Sequence, residues 1–275
     1  MSGQSNGRQP ARVAIAGLGA VGLDVARALD SGLPGCRLTA VSARDRDAAR
    51  TRLAGLATPV EVVAIEDLEP LADIVVECAP AALLPEIASP FLKAGKIVVV
   101  LSSGALLAHP ELIDLAKTYG GQIVVPSGAL LGLDAVTAAA EGEIRSVRMT
   151  TRKPVKGLLG APYLVANNID ISSLSAPLKV FSGTPREAAV GFPANLNVAV
   201  ALSLAGIGPD RTTLDIWADP ALTRNTHSIE VDADSASFSM TIENIPSDNP
   251  KTGRITALSV IACLRKMGAP LRVGS

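Results

Sequence analysis

The chain has 275 residues, 48% of them hydrophobic, a length that predicts one large domain or two modest ones. Its formal net charge of -1 gives no electrostatic reason to expect nucleic acid or an anionic membrane as a partner. Residues 1–10 are polar and lack the apolar stretch of a signal peptide, so we interpret them as a disordered tail.

Three cysteines, Cys36, Cys78 and Cys263, are widely separated along the chain. An odd and sparse set argues against a disulfide framework and is typical of the reducing cytoplasm. Cys78 and Cys263 lie in apolar runs, so we expect both to be buried. No cluster of cysteines or histidines indicates a bound metal.

The N-terminal part alternates short apolar segments with segments of helical periodicity. The predicted strands are 12–16, 37–42, 61–64, 74–78, 96–101 and 122–125, and the predicted helices are 23–30, 81–94 and 110–119. Pro90 is expected to break or kink the second of these helices. This α/β alternation predicts a doubly wound parallel sheet, a Rossmann domain, over residues 11–130.

A glycine motif, Gly17-x-Gly19-x-x-Gly22, follows the first strand and opens the first helix. In that context it predicts a dinucleotide-binding turn rather than a glycine-rich turn without a ligand. Gly17 would make the tight turn, Gly19 would let a pyrophosphate approach, and Gly22 would let the helix pack closely on the strand. Ala20 and Val21 begin the helix, whose N-terminus would face the phosphates.

The end of the second strand bears on the choice of cofactor. NAD sites usually carry Asp or Glu there, whereas this sequence reads Ser42-Ala43-Arg44-Asp45. Ser42 and Arg44 could both contact a 2′-phosphate, so the sequence is compatible with NAD or NADP and slightly favours NADP. The alternative is that Arg44 is an ordinary exposed loop residue.

After about residue 130, apolar and polar residues partly alternate, as in strands with one solvent-exposed face. The predicted strands are 143–151, 179–182, 212–218, 228–232 and 236–243, and the predicted helices are 184–190, 197–205 and 252–267. We expect an α+β domain with a mixed, largely antiparallel sheet over residues 131–250, serving substrate binding and oligomerisation. The C-terminal helix within residues 251–275 is expected to pack back on the first domain.

Several longer motifs follow one another through the chain. They are GLGAVG (17–22), VVECAP (75–80), VPSGALLGLDA (125–135), TRKP (151–154), FSGTxREA (181–188), FPANLNVAVALSLAG (192–206), ADP with NxH (218–227) and NPKT (249–252). With these motifs in order, the chain resembles the L-aspartate dehydrogenase family. The resemblance covers nearly everything outside the tail.

The resemblance implies NAD(P)-dependent oxidation of L-aspartate, through iminosuccinate, to oxaloacetate and ammonium. It assigns catalysis to His227 of the NxH motif and places Ala129 and Asn197 on the nicotinamide side of the cofactor. It also implies a homodimer or a higher homo-oligomer.

Histidine suits this chemistry because an amino acid is oxidised as the neutral amine, and a base titrating near neutrality can take its proton. The sequence has two histidines. His109 precedes a proline before a helix and is expected in an exposed loop. His227 is expected in a polar loop before a strand, where a structural role and a catalytic base are equally reasonable without the resemblance.

The two carboxylates of aspartate call for cationic or N–H donors. Lys251 and Thr252 open the last predicted helix, and Ser102 and Ser103 end a predicted strand at the carboxyl edge of the parallel sheet. The Arg152-Lys153 pair is a further candidate. Each of these side chains could instead be an ordinary solvated residue.

Two alternative functions remain at this point. One is a reductase acting on another imine or on a dihydrodipicolinate-like ring, although the chain lacks the adjacent histidines that such enzymes usually carry. The other is a non-enzymatic dinucleotide-binding sensor, which would keep the glycine motif but would have no need of His227.

Overall fold

The structure, a computed structural model, describes residues 9–193, 196–246 and 253–274. The chain forms two compact units. The first contains the described residues of Met1–Ser102, His109–Pro126 and Ala257–Val273, and the second those of Ser103–Ala108, Ser127–Thr256 and Gly274–Ser275. Of the tail predicted at residues 1–10, residues 1–8 lie outside the described part of the chain.

The strands and helices follow in chain order. The strands are β1 (Ala11–Ala16), β2 (Cys36–Ser42), β3 (Glu61–Val63), β4 (Ile74–Glu77), β5 (Ile97–Val100), β6 (Gln122–Val124), β7 (Ile144–Pro154), β8 (Leu178–Gly183), β9 (Thr213–Asp219), β10 (Thr226–Ala233) and β11 (Ser237–Glu243). The helices are α1 (Ala20–Asp30), α2 (Arg46–Leu53), α3 (Leu84–Lys93), α4 (Glu111–Tyr119), α5 (Leu133–Ala140), α6 (Pro162–Ala166), α7 (Pro185–Gly191), α8 (Asn197–Ala205) and α9 (Ile255–Gly268). Among the described helices, none has the length and apolar character required to cross a bilayer.

The first unit is built on a parallel sheet with strand order β3-β2-β1-β4-β5-β6. This is the strand order of a doubly wound dinucleotide-binding fold. Its central strands are mostly apolar because helices cover both faces of such a sheet, and Val13, Ile15 and Val76 are fully buried. The predicted Rossmann fold is confirmed.

Two local predictions in this unit are corrected. Helix α3 continues through Pro90, where a break or a kink was expected, so the helix is not broken there. Pro90 has no N–H to donate to the carbonyl of Glu86, so the helix lacks one hydrogen bond at this position. Helix α2 was missed because it is mostly polar and shows only Ala49 and Leu53 as buried positions, too short a pattern to indicate a helix.

Helix α9 packs in the core of the first unit. Val260 and Leu264 lie in the same apolar cluster as Leu33 and Cys36, and the Cys36 thiol donates to the Leu264 carbonyl at 3.7 Å. Cys263, on the same helix, is partly exposed, whereas full burial was expected. The helix thus belongs to the unit formed by the N-terminal half of the chain.

The second unit contains a mixed sheet with strand order β11-β10-β7-β9-β8. Strands β7 and β9 are parallel, and the other neighbouring pairs are antiparallel. Helix α7 begins with a capping box, in which Thr184 and Glu187 each bond to the other's backbone N–H. The prediction of a largely antiparallel second sheet is confirmed.

Strand β7 lies at the centre of this sheet and alternates between a buried and a more exposed face. Val147, Met149, Thr151 and Lys153 are all buried, as the two-residue period of a strand requires. Val147 and Met149 belong to the apolar core of the unit. The same buried face therefore changes from apolar to polar toward the end of the strand.

The glycine turn between β1 and α1 provides a test of the first unit. A Cβ at Gly22 would overlap the carbonyl oxygen of Gly17, whereas a Cβ at Gly19 would meet nothing within 4 Å. Gly22→Ala should therefore lower the free energy of unfolding by about 2 kcal/mol or more, because backbone must move. Urea unfolding midpoints measure this. Gly19→Ala is the matched control, and equal midpoints for the two variants would contradict the proposed close packing.

Candidate active site

A cleft of about 790 Å³ lies in the first unit, between the glycine turn and the ends of β2 and β4. Ligands of doubly wound folds bind at this carboxyl edge of the sheet. Gly17 has φ +101°, and a Cβ there would lie 2.5 Å from the Cys78 carbonyl oxygen. Gly19 lines the cleft and has open space in front of its Cα. These features fit the close approach of a pyrophosphate.

Helix α1 points its N-terminus at this turn. Gly19 is its N-cap residue, no side chain caps the helix, and Ala20 and Val21 form its first turn. The N–H groups of such a first turn have no partner inside the helix and attract anions. The structure thus brings Gly17, Gly19, Ala20 and Val21 together in the arrangement that the sequence predicted.

Ser42 and Arg44 both line the same cleft. Ser42 is buried at the end of β2, where its carbonyl accepts from the Gly17 N–H at 2.8 Å, while Arg44 is exposed. Asp45 is the first carboxylate that follows β2 in the sequence. It caps helix α2 by accepting a hydrogen bond from the Ala48 N–H at 2.9 Å. The capping role accounts for an acidic residue at this position without a ribose contact.

Two further arginines line the cleft that sequence reasoning did not single out. Arg46 begins α2, and Arg52 lies near its end, where it donates to the Leu18 carbonyl at 2.9 Å. Both arginines lie in α2, the helix that follows the second strand. A prediction of that helix would have identified them, but α2 was missed.

Glu77 is a completely buried carboxyl group at the end of β4, and sequence reasoning gave it no role. It accepts hydrogen bonds from the Leu101 N–H at 3.1 Å, the Ser102 N–H at 2.8 Å and the Ser102 hydroxyl at 3.0 Å. Burial raises the pKa of Glu77, and these hydrogen bonds partly oppose that rise. The Ser102 hydroxyl, predicted to contact substrate, is held by Glu77.

Cys78 follows Glu77 and lines the cleft. It is only partly buried, whereas the apolar run around it predicted full burial. The thiol group itself lies inside, and burial raises its pKa, so that it stays protonated at neutral pH. Its position at the edge of the sheet explains the partial exposure of the residue.

In the second unit, Ser103 and Asn197 lie together. The Ser103 hydroxyl donates to the Asn197 carbonyl at 2.7 Å, and the Gly104 N–H donates to the Asn197 side-chain oxygen at 3.0 Å. The carbonyl of Ala129 accepts from the Asn244 side chain at 2.9 Å. Asn244 is buried and was not predicted; within the described residues, its side-chain oxygen has no hydrogen-bond partner.

His227 lies inside strand β10 and is 2% exposed, which corrects the prediction of a polar loop. The sequence pattern began this strand only at Ser228 and left His227 in a polar loop, but β10 begins at Thr226 and pairs there with the polar end of β7. His227 lies opposite Thr151, whose hydroxyl oxygen is 3.2 Å from the imidazole Nδ1. The structure thus places this ring on the buried face of the sheet.

The charge state of His227 also differs from the expectation of a group titrating near neutrality. Burial, followed by the nearby positive charge of Lys153, lowers the pKa of His227 to about 3. The imidazole is therefore neutral at physiological pH and can accept a hydrogen bond.

Lys153 and Arg152, which the sequence offered as one pair, lie on opposite faces of β7. Lys153 is 4% exposed, and burial lowers its pKa to about 8. Arg152 instead stacks on Trp217, with its guanidinium 4.8 Å from the ring centroid, and lies 3.6 Å from an Asp219 carboxylate oxygen. Lys153 alone shares the buried face with His227.

The remaining predicted residues do not add to this cluster. Lys251 and Thr252 lie outside the described residues. His109 is partly exposed, and its Nδ1 lies 2.9 Å from a Glu111 carboxylate oxygen. Within the described part of the chain, no group of three or more His, Cys, Asp or Glu side chains is arranged to hold a metal ion.

Known proteins resemble this chain over nearly its whole length. Family models described as "Homoserine dehydrogenase, NAD binding domain" and "Aspartate dehydrogenase, C-terminal" match residues 17–126 and 134–267. The L-aspartate dehydrogenase of Bradyrhizobium diazoefficiens is 62% identical, with 96% of this chain and 94% of that protein covered. L-aspartate dehydrogenase 3 of Bordetella bronchiseptica is 61% identical, with 98% and 99% covered.

The crystal structure of an aspartate dehydrogenase from Thermotoga maritima has the same fold. It superposes with a TM-score of 0.75 at 23% identity, covering 97% of this chain and 100% of that one. The fold, the family models and the identity to curated relatives agree with the resemblance found in the sequence. The chain belongs to the L-aspartate dehydrogenase family and is an oxidoreductase with a domain for a nicotinamide dinucleotide.

Proposed function

We propose that this protein oxidises L-aspartate with NAD(P)+ as the oxidant. The balanced reaction is L-aspartate + NAD(P)+ + H2O giving oxaloacetate + NH4+ + NAD(P)H + H+, with iminosuccinate as the intermediate, and it is reversible. The observation that carries the proposal is the 62% identity, over 96% of the chain, to a protein named L-aspartate dehydrogenase.

The cleft of the first unit is the proposed cofactor site. Its open space at Gly19, the uncapped N-terminus of α1 and its volume of about 790 Å³ suit a dinucleotide. A nicotinamide dinucleotide held there would supply an acceptor for the hydride that leaves the substrate α-carbon. Ala129 and Asn197 are proposed to bind on the nicotinamide side, as the family resemblance implies.

His227 is the proposed catalytic residue. Because its imidazole is neutral at physiological pH, it can accept the proton that the substrate amine must lose before the C=N bond forms. Thr151 contacts Nδ1 and so fixes the ring, which leaves Nε2 for proton transfer. After it has released that proton to solvent, the same nitrogen can take a proton from the water that attacks the imine carbon.

The substrate carboxylates require donors around this ring. Lys251 and Thr252 stay proposed substrate contacts. Ser102 and Ser103 stay so as well, although their hydroxyls donate to Glu77 and Asn197 respectively. A hydroxyl that donates to the protein can still accept, so contacts with the ammonium or amine group of a substrate suit these serines better than contacts with a carboxylate.

For the cofactor, we propose a preference for NADP over NAD. Arg44, Arg46 and Arg52 all line the cleft near the end of β2, while Asp45 caps α2. An arginine can bind a 2′-phosphate through two hydrogen bonds, whereas a ribose hydroxyl pairs better with a carboxylate.

We further propose a homodimer or higher homo-oligomer located in the cytoplasm. The oligomer follows from the family resemblance, and light scattering of the purified protein measures it. The three cysteines are all free thiols, which suits a reducing compartment.

Replacing His227 tests the proposed reaction. Wild-type protein should form NAD(P)H, followed by its absorbance, with L-aspartate and not with D-aspartate, L-glutamate or L-alanine. His227→Asn should lower kcat by roughly a hundredfold to ten-thousandfold while the cofactor Kd stays unchanged.

His109→Asn is the matched control, because it removes the only other histidine. It should leave turnover unchanged. Full activity in the His227 variant would refute its catalytic role, and absence of L-aspartate-dependent signal in wild type would refute the reaction.

Replacing Arg44 tests the cofactor proposal. Arg44→Ala should lower kcat/KM for NADP+ by about tenfold to a hundredfold, as expected for loss of a charge-assisted contact, with little change for NAD+. The control is Arg50→Ala, which removes an exposed arginine of α2 that pairs with Asp47. If Arg44→Ala leaves the ratio of kcat/KM for NADP+ to kcat/KM for NAD+ unchanged, the proposal is contradicted.

A further inference from the structure

The glycine turn between β1 and α1 is held at two points by the segment that runs from the end of β2 through α2. The Gly17 N–H donates to the Ser42 carbonyl at 2.8 Å. The Leu18 carbonyl accepts a hydrogen bond from Nη1 of Arg52 at 2.9 Å. The first contact joins two backbone groups, whereas the second uses a side chain, so a single substitution can remove it.

The Arg52 contact fixes the orientation of one peptide plane in the turn. The peptide between Leu18 and Gly19 is planar and trans, so the Leu18 carbonyl and the Gly19 N–H point in opposite directions. Gly19 has no Cβ, and a glycine lets its peptide take other orientations at little steric cost. A hydrogen bond to the Leu18 carbonyl therefore also determines where the Gly19 N–H points.

The guanidinium group of Arg52 is carried by a helix that is itself anchored. Ala49 and Leu53 are the buried residues of α2, and both lie in the same apolar cluster as Leu18. Arg52 is exposed and lines the cleft. It thus reaches the turn from a helix whose position the core of the first unit already fixes.

Arg52 differs in this respect from the other two arginines that line the cleft. Within the described part of the chain, the side-chain hydrogen bond to the glycine turn comes from Arg52 and not from Arg44 or Arg46. Because a carbonyl oxygen is neutral, the guanidinium keeps its positive charge beside the turn while it makes this contact. The three arginines therefore need not share one role.

We propose that Arg52 is a positioning residue, which holds the glycine turn in the conformation that receives the pyrophosphate of the cofactor. The N–H groups at the start of α1 are then already oriented before the ligand arrives, so binding does not have to order the turn. NAD and NADP share the pyrophosphate, so Arg52 should support both equally, whereas Arg44 is proposed to contact the 2′-phosphate of NADP. The inference rests on the proposed cofactor site of the first unit and not on the identity of the substrate.

The first test measures the affinity of the protein for NAD+, NADP+ and ADP-ribose by isothermal titration calorimetry. ADP-ribose carries the pyrophosphate but has neither the nicotinamide nor the 2′-phosphate. Arg52→Met keeps a similar length without a hydrogen-bond donor and should weaken binding of all three ligands by a similar factor, about tenfold, as loss of one charge-assisted hydrogen bond predicts. Arg52→Lys keeps a cationic donor and should recover part of this loss.

Arg50→Met is the matched control, because Arg50 lies on the same helix and pairs with Asp47. It should bind all three ligands like wild type. A loss in Arg52→Met that is confined to NADP+ would overturn the inference, since Arg52 would then contact the 2′-phosphate. Wild-type affinity of Arg52→Met for all three ligands would overturn it as well.

A second test separates positioning of the turn from simple attraction between the guanidinium and the phosphates. The Gly19 N–H signal of protein labelled with 15N-glycine is recorded by NMR without any ligand, and Gly19→Ala assigns it. Arg52→Met should shift or broaden this signal, because the peptide between Leu18 and Gly19 loses its fixed orientation, while Arg50→Met should leave it in place. An unchanged Gly19 signal in Arg52→Met would contradict the inference.

A third measurement needs no variant. In a crystal structure of the wild-type protein with ADP-ribose, Nη1 of Arg52 should stay within hydrogen-bond distance of the Leu18 carbonyl, about 3 Å, with the pyrophosphate at the start of α1. A guanidinium that has left Leu18 in order to bind the ligand would overturn the inference.

These experiments do not depend on turnover. If ADP-ribose binding depends on Arg52 but L-aspartate is not oxidised, the proposed reaction is wrong and the role of Arg52 stands. If wild-type protein does not bind ADP-ribose, the proposed cofactor site and this inference are both overturned.

Discussion

Lys153 and His227 share a buried face of the sheet with Thr151, next to the apolar part of that face, and burial disfavours a positive charge on both Lys153 and His227. The strand period imposes this arrangement. Val147 and Met149 anchor one face of β7 in the core, so Thr151 and Lys153 must follow on the same face. Shifting β7 by one residue would exchange Lys153 with Arg152 and bring exposed residues into the core.

In the first unit, the proposed phosphate-binding turn is formed by backbone groups alone. The Gly17 carbonyl leaves no room for a side chain at Gly22, which holds α1 close to β1, while Gly19 stays open to the cleft. The uncapped N-terminus of α1 then offers N–H groups without any charged side chain. The charged side chains Arg44, Arg46 and Arg52 line the same cleft beyond the end of β2, whereas the glycine turn contributes backbone alone.

The sequence predicted the fold because the signals for it are periodic. Apolar runs alternating with helices indicated the parallel sheet, and the glycine motif fell where strand meets helix. It did not predict α2, whose residues are mostly polar, and Arg46 and Arg52 were missed with it. The family resemblance is confirmed by the curated relatives, whereas the role of each site residue stays a prediction.

The chemistry of the second unit was harder to predict. Thr226 and His227 precede the strand predicted at 228–232, so a polar loop was the interpretation, and only pairing with β7 shows that they extend this strand. The predicted strand ended at Thr151, and Lys153 beyond it could have been an ordinary solvated residue, although the structure buries it. Burial of polar residues depends on which segments pair over long range, and local patterns do not contain that information.

The most direct test of this account is the protonation state of His227 in the folded protein. The nitrogen chemical shifts of its imidazole ring can be followed by NMR in the absence of substrate, with His109→Asn used for assignment because the chain has two histidines. Burial beside Lys153 predicts that His227 stays neutral from about pH 7.5 down to about pH 5, well below the usual imidazole midpoint near 6.5. A His227 titration centred near that usual value would contradict the account, since it would mean that neither burial nor Lys153 controls the ring.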